Sequence, residues 1–452
     1  MRYPGIVSKR AAAVALSAGL VTLAAACGSS GGSSTAASSS TSSGGGSSSS
    51  SSITVAVAYP APPAALLDQF TKQTGIKVNW VNIGWDNLQT KIAAAMSANT
   101  YFADVADVDW SKVGEYQKTG WFEPLNQDFS VASLEPDMPQ LKTFISNGQL
   151  VGMPFDSSFL VTTVNKKDFA KAGITTMPTT LTAFTADLKK VGKANGMASP
   201  LDIQFATAEG LSTCWYQMTA AFGGSVLTTQ DTPAFTSPSS PGYKAMTWMV
   251  DAYKSGLVPA GNINTTDYQG FTTEMAKNRV AAAMCDYSGT VASIYNVPSS
   301  SSVVNDVEYI PTPGATGAGG NVANPDGIGI PKTAKNVAGA VKFIQWFTQT
   351  EEQADWAGLN GASDVVSTFP LPARLTSFNL MIKAGDIEQA APLDAILKAH
   401  AQPPFPNGAP PWYTQFSAAV QTNIHEAAAG QETIPQAVSA IAAQVSQLSA
   451  AG

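Results

Sequence analysis

The sequence predicts an α/β protein in two lobes, with a parallel sheet in the first. Two observations carry that expectation. Strand, helix, strand, helix and strand follow one another within about 60 residues after Ile53, the order that a parallel sheet with crossover helices produces. Roughly 400 residues follow the low-complexity tract that ends at Ser52, more than one hydrophobic core usually serves.

The first strand is "ITVAVAYP", a β-branched run from Ile53 stopped by proline. Pro62 and Pro63 suit a first helical turn; Leu66 or Leu67 and Phe70 then share a face, and Gly75 offers a C-cap. "IKVNWVNI" alternates as a second strand. Over 85–96, Leu88, Ile92, Ala95 and Met96 form the apolar stripe of an amphipathic helix. "ADVADVDW" reads as a third strand, after which Ser111 is placed to cap a short helix ending before Gly120.

Downstream, "GLSTCWYQMTAAFGG" reads as an apolar helix ended by glycines, and "VAAAMCDY" and "NDVEYIPTP" as strands. "GATGAGG", from Gly314, is followed by no helix and reads as a flexible loop. "NVAGAVKFIQWFTQ" places Val337, Val341, Ile344 and Phe347 at helical spacing. The proline-rich 402–411 stretch is irregular. In the last helix Thr433 and Gln436 have capping-box spacing, and Val438, Ile441, Val445 and Leu448 form one stripe, expected to pack on the second lobe.

Ahead of all this, Arg2, Lys9 and Arg10 precede an apolar stretch over 11–26, the plan of a secretory signal. That stretch is shorter than the roughly 20 apolar residues of a spanning helix, and no later one qualifies. "LAAAC", ending at Cys27, resembles the bacterial lipobox, in which the cysteine is lipidated. The expected organisation is a signal peptide over 1–26 and then a lipidated Cys27 leading a disordered Ser/Gly linker over 27–52. Such a chain is exported and lipid-anchored on the outer face of the cytoplasmic membrane. The net charge of −7 becomes more negative once the three leader cations are lost, which argues against nucleic acid as a partner.

Cys214 and Cys285 are the remaining cysteines, an even pair in a compartment that permits disulfides; a bridge and two separate buried thiols are both open. His400 and His425 are the two histidines, and no CxxC or HExxH spacing occurs, so neither a metal site nor a cofactor is expected.

Several segments together resemble the family 1 extracellular solute-binding proteins of ABC importers, which include the maltodextrin-binding proteins. They are "DQFTKQTGIKV", "ADVADVDWSKVGEYQKTGWFEPL", "GQLVGMPFDSSFLVTTVNKKDFAKAGI" with "MPTTLTAFTADLKKV", "AAAMCDYSG", "DGIGIPKTAKNVAGAVKFIQWF" and "AAAGQETIPQAV", in that order. The resemblance implies a two-lobed periplasmic-binding-protein clamp, type II-like, crossed three times by the chain, near 154–161, 309–313 and 348–353. The lobes are then 53–156 with 310–350, N-terminal, and 157–309 with 351–452, C-terminal.

In open α/β sheets ligands sit beyond the carboxyl ends of strands, where Tyr59, Trp85, Asp109 and Trp110 fall. Nine tryptophans among few charges suit sugar, since a flat ring covers a pyranose face while carboxylates take its hydroxyls. Trp80, Trp121, Trp248, Trp346 and Trp356 are expected in the core. The resemblance adds Trp215, on a helix that presents an aromatic residue to ligand, and Trp412 with Tyr413, similar to a late aromatic that closes over it. Asp156 lies in the first crossing, and Asp286 and Tyr287 end "AAAMCDY". For Asp109, Asp156 and Asp286, accepting ligand hydroxyls, neutralising a cation, and capping or solvated roles all stand open.

The expected function is a membrane-anchored, monomeric, non-enzymatic solute-binding protein. It captures a small solute, a sugar or oligosaccharide, in the interlobe cleft and delivers it to the permease of an ABC transporter. Alternatives are a polyamine or other small-cation binder of the same fold, or a ligand sensor or adhesion lipoprotein. A glycoside hydrolase with paired carboxylates is weaker: Asp107 and Asp109 share a strand face but Asp104 does not. No GxSxG, P-loop or GxGxxG stands in a convincing setting. Arg279 and Arg374 form no evident cluster for a phosphate.

Overall fold

In the computed structural model, which describes residues 51–266, 271–362 and 371–451, β1 (Ser52–Val57) leads through α1 (Ala64–Thr74) to β2 (Lys77–Asn82), and α2 (Trp85–Ser97) leads on to β3 (Val105–Asp109). The signal stretch, Cys27 and nearly all of the Ser/Gly linker lie outside the described residues. β1 pairs in parallel with both β2 and β3. The β-branched run fits this central place: Ile53, Val55 and Val57 are fully buried, as are Leu66 and Phe70 from α1 and Leu88 and Ile92 from α2. Each such side chain contributes about 1.5–3 kcal/mol of burial. Two strands from far along the chain complete the sheet antiparallel, Asp326–Gly329 beside β3 and then Met153–Pro154. The Val337–Phe347 helix covers it with an aromatic layer in which Phe343 meets Phe70 edge-on and stacks on Phe347. Trp346 and Trp356 are buried in this core and Trp80 and Trp121 pack against it. The crossover units form because each apolar stripe has one apolar sheet face to cover.

The second sheet is ordered Val307–Ile310, Leu160–Asn165, Ala282–Tyr287, Leu201–Asp202. Its first two pairings are antiparallel and its last is parallel. Helices Glu209–Ala221, Pro241–Lys254 and Tyr413–Ala429 pack with it around a second core that holds Trp215 and Tyr216, with Trp248 against its edge. The Ile434–Ala451 helix lies along two of these helices, and its capping box forms: Thr433 N donates to Gln436 Oε1 (2.8 Å) and Gln436 N to Thr433 Oγ1 (3.4 Å). Phe159, Tyr295, Tyr309 and Phe378 anchor a third cluster. No helix among the described residues is long and apolar enough to cross a membrane.

Two local readings need correction. Ser111 does not cap the helix after β3; Asp109 does, accepting from Ser111 N (2.8 Å) and from the Ser111 hydroxyl, because its carboxylate is already at the turn. A 3₁₀ turn, Trp110–Lys112, then leads to α3 (Val113–Thr119). The glycine-rich 314–320 segment is pinned against the end of the Glu209–Ala221 helix: Ala315 N donates to Ala221 O (3.2 Å) and Gly320 N to Ala220 O (3.3 Å). A β-carbon on Gly319 would lie 2.5 Å from Ala221 Cα, so the small residues permit close packing rather than motion. Neither arginine joins a phosphate-binding cluster among the described residues: the Arg374 guanidinium reaches Asp137 Oδ2 (2.8 Å) and Thr348 O (2.5 Å), and Arg279 pairs with Glu274.

The ladder between Leu160–Asn165 and Ala282–Tyr287 slips at Cys285: Asp286 faces Val161 but Met284 faces Thr162. Cys285 takes a left-handed backbone, φ +61°, as the extra residue of a β-bulge. Its sulfur is bonded to that of Cys214, in the adjoining helix.

Candidate functional site

Strands β1 and β3 run in parallel, so their carboxyl ends open on the same edge of the sheet. Tyr59 follows β1 by two residues, and Asp107 and Asp109 lie one pleat apart on β3. Asp326 begins the neighbouring strand, directly opposite Asp109 in register, and its amide donates to Asp156 Oδ1 (2.8 Å). Four carboxyl groups from three distant parts of the chain thus converge. The Tyr59 hydroxyl lies 3.0 Å from Asp156 Oδ2 and 2.9 Å from Asp326 Oδ2. Trp85 Nε1 donates to Asp109 Oδ2 (3.3 Å) and Gln89 Nε2 to Asp107 Oδ1 (3.4 Å), both from the first turns of α2. Behind them, Tyr59 is held edge-on by Phe155 and Trp356, and Trp80 Nε1 donates to its carbonyl (3.0 Å).

Burial sets the electrostatics here. Asp107 is held well above the usual carboxylate range, first by burial and then by the charges of Asp109 and Asp156. Burial followed by the charges of Asp107, Asp156 and Asp109 does the same to Asp326. Asp156 is pushed up to about 6 by burial, against hydrogen bonds from the Asp326 amide, Ser158 and Tyr59. Asp109 is raised by burial and restrained by Ser111 and Lys112. Asp104, on the other face, accepts from Thr54, Lys335 and Asn336 amides (2.9 Å each) and ties the sheet to the start of the Val337–Phe347 helix.

Trp110, just past β3, points toward the late part of the chain. Its ring centroid lies 5.2 Å from Tyr413 and 6.1 Å from Phe405. Tyr413 in turn donates its hydroxyl to Glu209, in the first turn of the Glu209–Ala221 helix, which also accepts from Ser417 Oγ (2.8 Å) and Gln421 Nε2 (3.2 Å). Burial pushes Glu209 up to about 7, against the Tyr413 and Ser417 hydrogen bonds. Lys112 Nζ donates to Thr414 Oγ1 (2.7 Å) beside it.

Of the residues singled out from sequence, Tyr59, Trp85, Asp109 and Asp156 therefore come together, while Trp110, adjacent to Asp109, is buried in the second core against the equally buried Tyr413. Trp412 adjoins it as the N-cap of the Tyr413–Ala429 helix, 8% exposed and edge-on to Phe416. Trp215 does not join them: it is fully buried, with Nε1 donating to Gly242 O (2.8 Å) and Phe235 against its ring. Asp286 is also interior, accepting from Thr163 Oγ1, Tyr295 OH and Tyr287 N (2.8 Å each), and burial pushes it up to about 6. Tyr287 is half-buried against the second core. Sequence reasoning missed Asp326 and Glu209. Asp326 opens the "DGIGIPK" segment, whereas Glu209 looks like any first-turn acid favoured by the helix dipole.

Among the described residues no group of acids, histidines and cysteines has the geometry to hold a metal ion. A family model described as "Bacterial extracellular solute-binding protein" matches residues 52–354. No curated protein matches the chain. Among solved structures, an ABC transporter solute-binding protein from Thermotoga lettingae bound with alpha-D-tagatose superposes with a TM-score of 0.73 at 21% identity, over 88% of this chain and 100% of that one. A ribitol complex of an ABC transporter solute-binding protein from Agrobacterium radiobacter gives 0.72 at 20%, over 88% and 98%. The maltose-bound MalE3 of T. maritima gives 0.70 at 21%, over 88% and 99%. The fold is that of these two-lobed binding proteins.

Proposed function

This chain belongs to the bacterial extracellular solute-binding protein family, whose members are binding proteins and not enzymes, and we propose that it captures a sugar or oligosaccharide between its lobes for an ABC importer. The observation that carries the reading is the meeting of Trp110, at the carboxyl end of the first sheet, with Tyr413 from the last part of the chain. With the clamp open, these aromatic faces and the carboxylates beside them would match the two surfaces a sugar presents, its apolar ring face and its hydroxyl edge. The named ligands of the structural neighbours, tagatose, ribitol and maltose, are of that class.

The lobes are taken as 53–156 with 310–350 and 157–309 with 351–452; two separate cores support a division in two but not these edges, since Ile310 and Val322 lie in the second core and Trp356 and Ala373 in the first. The ligand surface consists of Tyr59, Trp85, Asp109, Trp110 and Asp156 from one side and Trp412 with Tyr413 from the other. Closure needs only better ligand contacts in the closed state than in the open one. Lipid on Cys27 and the Ser/Gly linker keep the clamp near its permease at high effective concentration. A thermal-shift screen of the purified protein against mono- and oligosaccharides, polyols, amino acids and phosphate esters tests the reading, since a ligand of the folded state raises Tm by mass action. A shift confined to related sugars or polyols is expected; a shift with amino acids or phosphate esters instead would overturn it.

A further inference from the structure

The acidic edge of the first sheet carries more negative charge than its surroundings neutralise. None of the ion pairs seen among the described residues includes Asp107, Asp109, Asp156 or Asp326. Lys112 lowers Asp109 from a distance, but its ammonium is engaged by Thr414 Oγ1 at 2.7 Å and Glu115 at 3.8 Å.

Hydrogen donors are short as well. Tyr59 has a single hydroxyl hydrogen between Asp156 and Asp326, so both contacts hold only if a further proton sits on one carboxyl. More tellingly, Asp107 is fully buried, and its Oδ2 has no hydrogen-bond partner, although the carboxyl is otherwise served by Gln89 and by the Ala58 amide. An interior carboxylate oxygen without a donor is costly, and the deficit lies beside Asp109 and Asp156, whose charges reach Asp107. Retained protons can cover the deficit in the empty protein; a ligand that brings both charge and N–H donors covers it better.

A metal ion does not fit, because these carboxyls do not converge in a metal-holding arrangement. A neutral hydroxyl supplies a donor but no charge. We propose that the solute carries a protonated amine, seated at the Asp326 and Asp109 end of this edge beside Tyr59 and Trp85, with the buried Asp107 and Asp156 carboxyls behind it. The proposal rests on the solute-binding reading above and narrows its ligand to an amino-bearing sugar. An ammonium offers three N–H donors and one positive charge, the two things this edge lacks.

The test is titration calorimetry of the purified protein with glucosamine and galactosamine, their hydroxyl and N-acetyl counterparts, and spermidine, in phosphate and in Tris. Amino sugars are expected to bind at least tenfold more tightly at pH 7 than glucose, galactose or N-acetylglucosamine. Their binding enthalpy should differ between the buffers as carboxyl protons are released. Asp107→Asn should cut the preference below threefold; Asp326→Asn, at a half-exposed position, serves if the first variant folds poorly. Equal or tighter binding of the neutral sugars would overturn the amine while leaving sugar capture standing. Binding of spermidine alone would uphold the amine and overturn the sugar, and binding of none of these probes would overturn both.

Discussion

Gly114, the second residue of α3, packs so closely on Ala409 that a β-carbon at position 114 would stand 2.1 Å from the Ala409 carbonyl oxygen. The same β-carbon would meet Pro410 and Pro411 within 3 Å. The proline-rich loop therefore rests on the first turn of α3, which follows β3 after the Trp110–Lys112 turn, near Trp110 and Tyr413. If this approach is part of clamp closure, anything that widens it favours the open form.

Gly114→Ala is expected to weaken sugar binding at least tenfold and to increase the radius of gyration measured by small-angle scattering. Alanine is the better helix former by about 1 kcal/mol, so a local loss of α3 would not explain such a result. Unchanged affinity and radius would remove this contact from closure.

Glu209 provides a pH signature. Its folded-state value, pushed up to about 7 by burial, lies above the ordinary glutamate value of 4.5. The folded protein then holds a proton that the unfolded chain releases, so stability falls as pH rises from about 4.5 to about 7 and levels off above. The slope from one such group approaches 1.4 kcal/mol per pH unit at most. Glu209→Gln keeps an acceptor for Tyr413 and removes the titration. Thermal melts from pH 5 to 8 should show a flatter profile for the variant than for the parent; parallel profiles would mean that Glu209 does not carry the proton.

Much of the first sheet was legible because its signals are local. β-branched runs, one apolar stripe per helix and Gly75 at the end of α1 sit within a few residues of the structure they specify. The second sheet was less legible because two of its three pairings join segments more than 100 residues apart, and its ladder slips at Cys285, which no periodicity marks. In the site, Asp107 and Asp109 could be placed on one face by the period of two. Asp326 could not be brought to them without the antiparallel pairing to β3. Trp215 misled because Gly210 to Ala221 is buried all round, so an aromatic there has no face that sequence could single out.

The Cys214–Cys285 bond closes a span of 71 residues. Loss of such a crosslink costs about 2–5 kcal/mol. It also ties down a non-glycine residue at φ +61°, a conformation that costs an L-residue roughly 1–2 kcal/mol. The two contributions can be separated. Cys214→Ala with Cys285→Ala should lose the crosslink while keeping the backbone strain, and Cys214→Ala with Cys285→Gly should recover about 1 kcal/mol in urea denaturation, because glycine accepts the bulge. Equal stability of the two double variants would show that the bulge relaxes once the bond is gone.

Arg374 joins segments around two of the places where we put chain crossings. Its guanidinium holds Asp137 and the Thr348 carbonyl, while its amide donates to Gln353 Oε1 (3.0 Å); Gln353 Nε2 reaches Pro154 O (3.4 Å). Asp137 is pushed up by burial, but the Arg374 and Thr376 hydrogen bonds outweigh that and hold it below the usual carboxylate range. A lowered value means that this contribution is present above about pH 4 and is lost as pH falls through the folded-state value. Arg374→Ala is expected to cost about 2 kcal/mol at pH 7, the scale of a charged hydrogen bond. Lysine should not restore it, because two separate nitrogens of the fork are used at once. The deficit measured by urea denaturation should shrink progressively as pH falls below the ordinary aspartate range, once protonation of Asp137 removes its reward to the arginine. A deficit that does not change with pH down to the acid limit of folding would place the arginine's contribution in the Thr348 carbonyl contact rather than in Asp137.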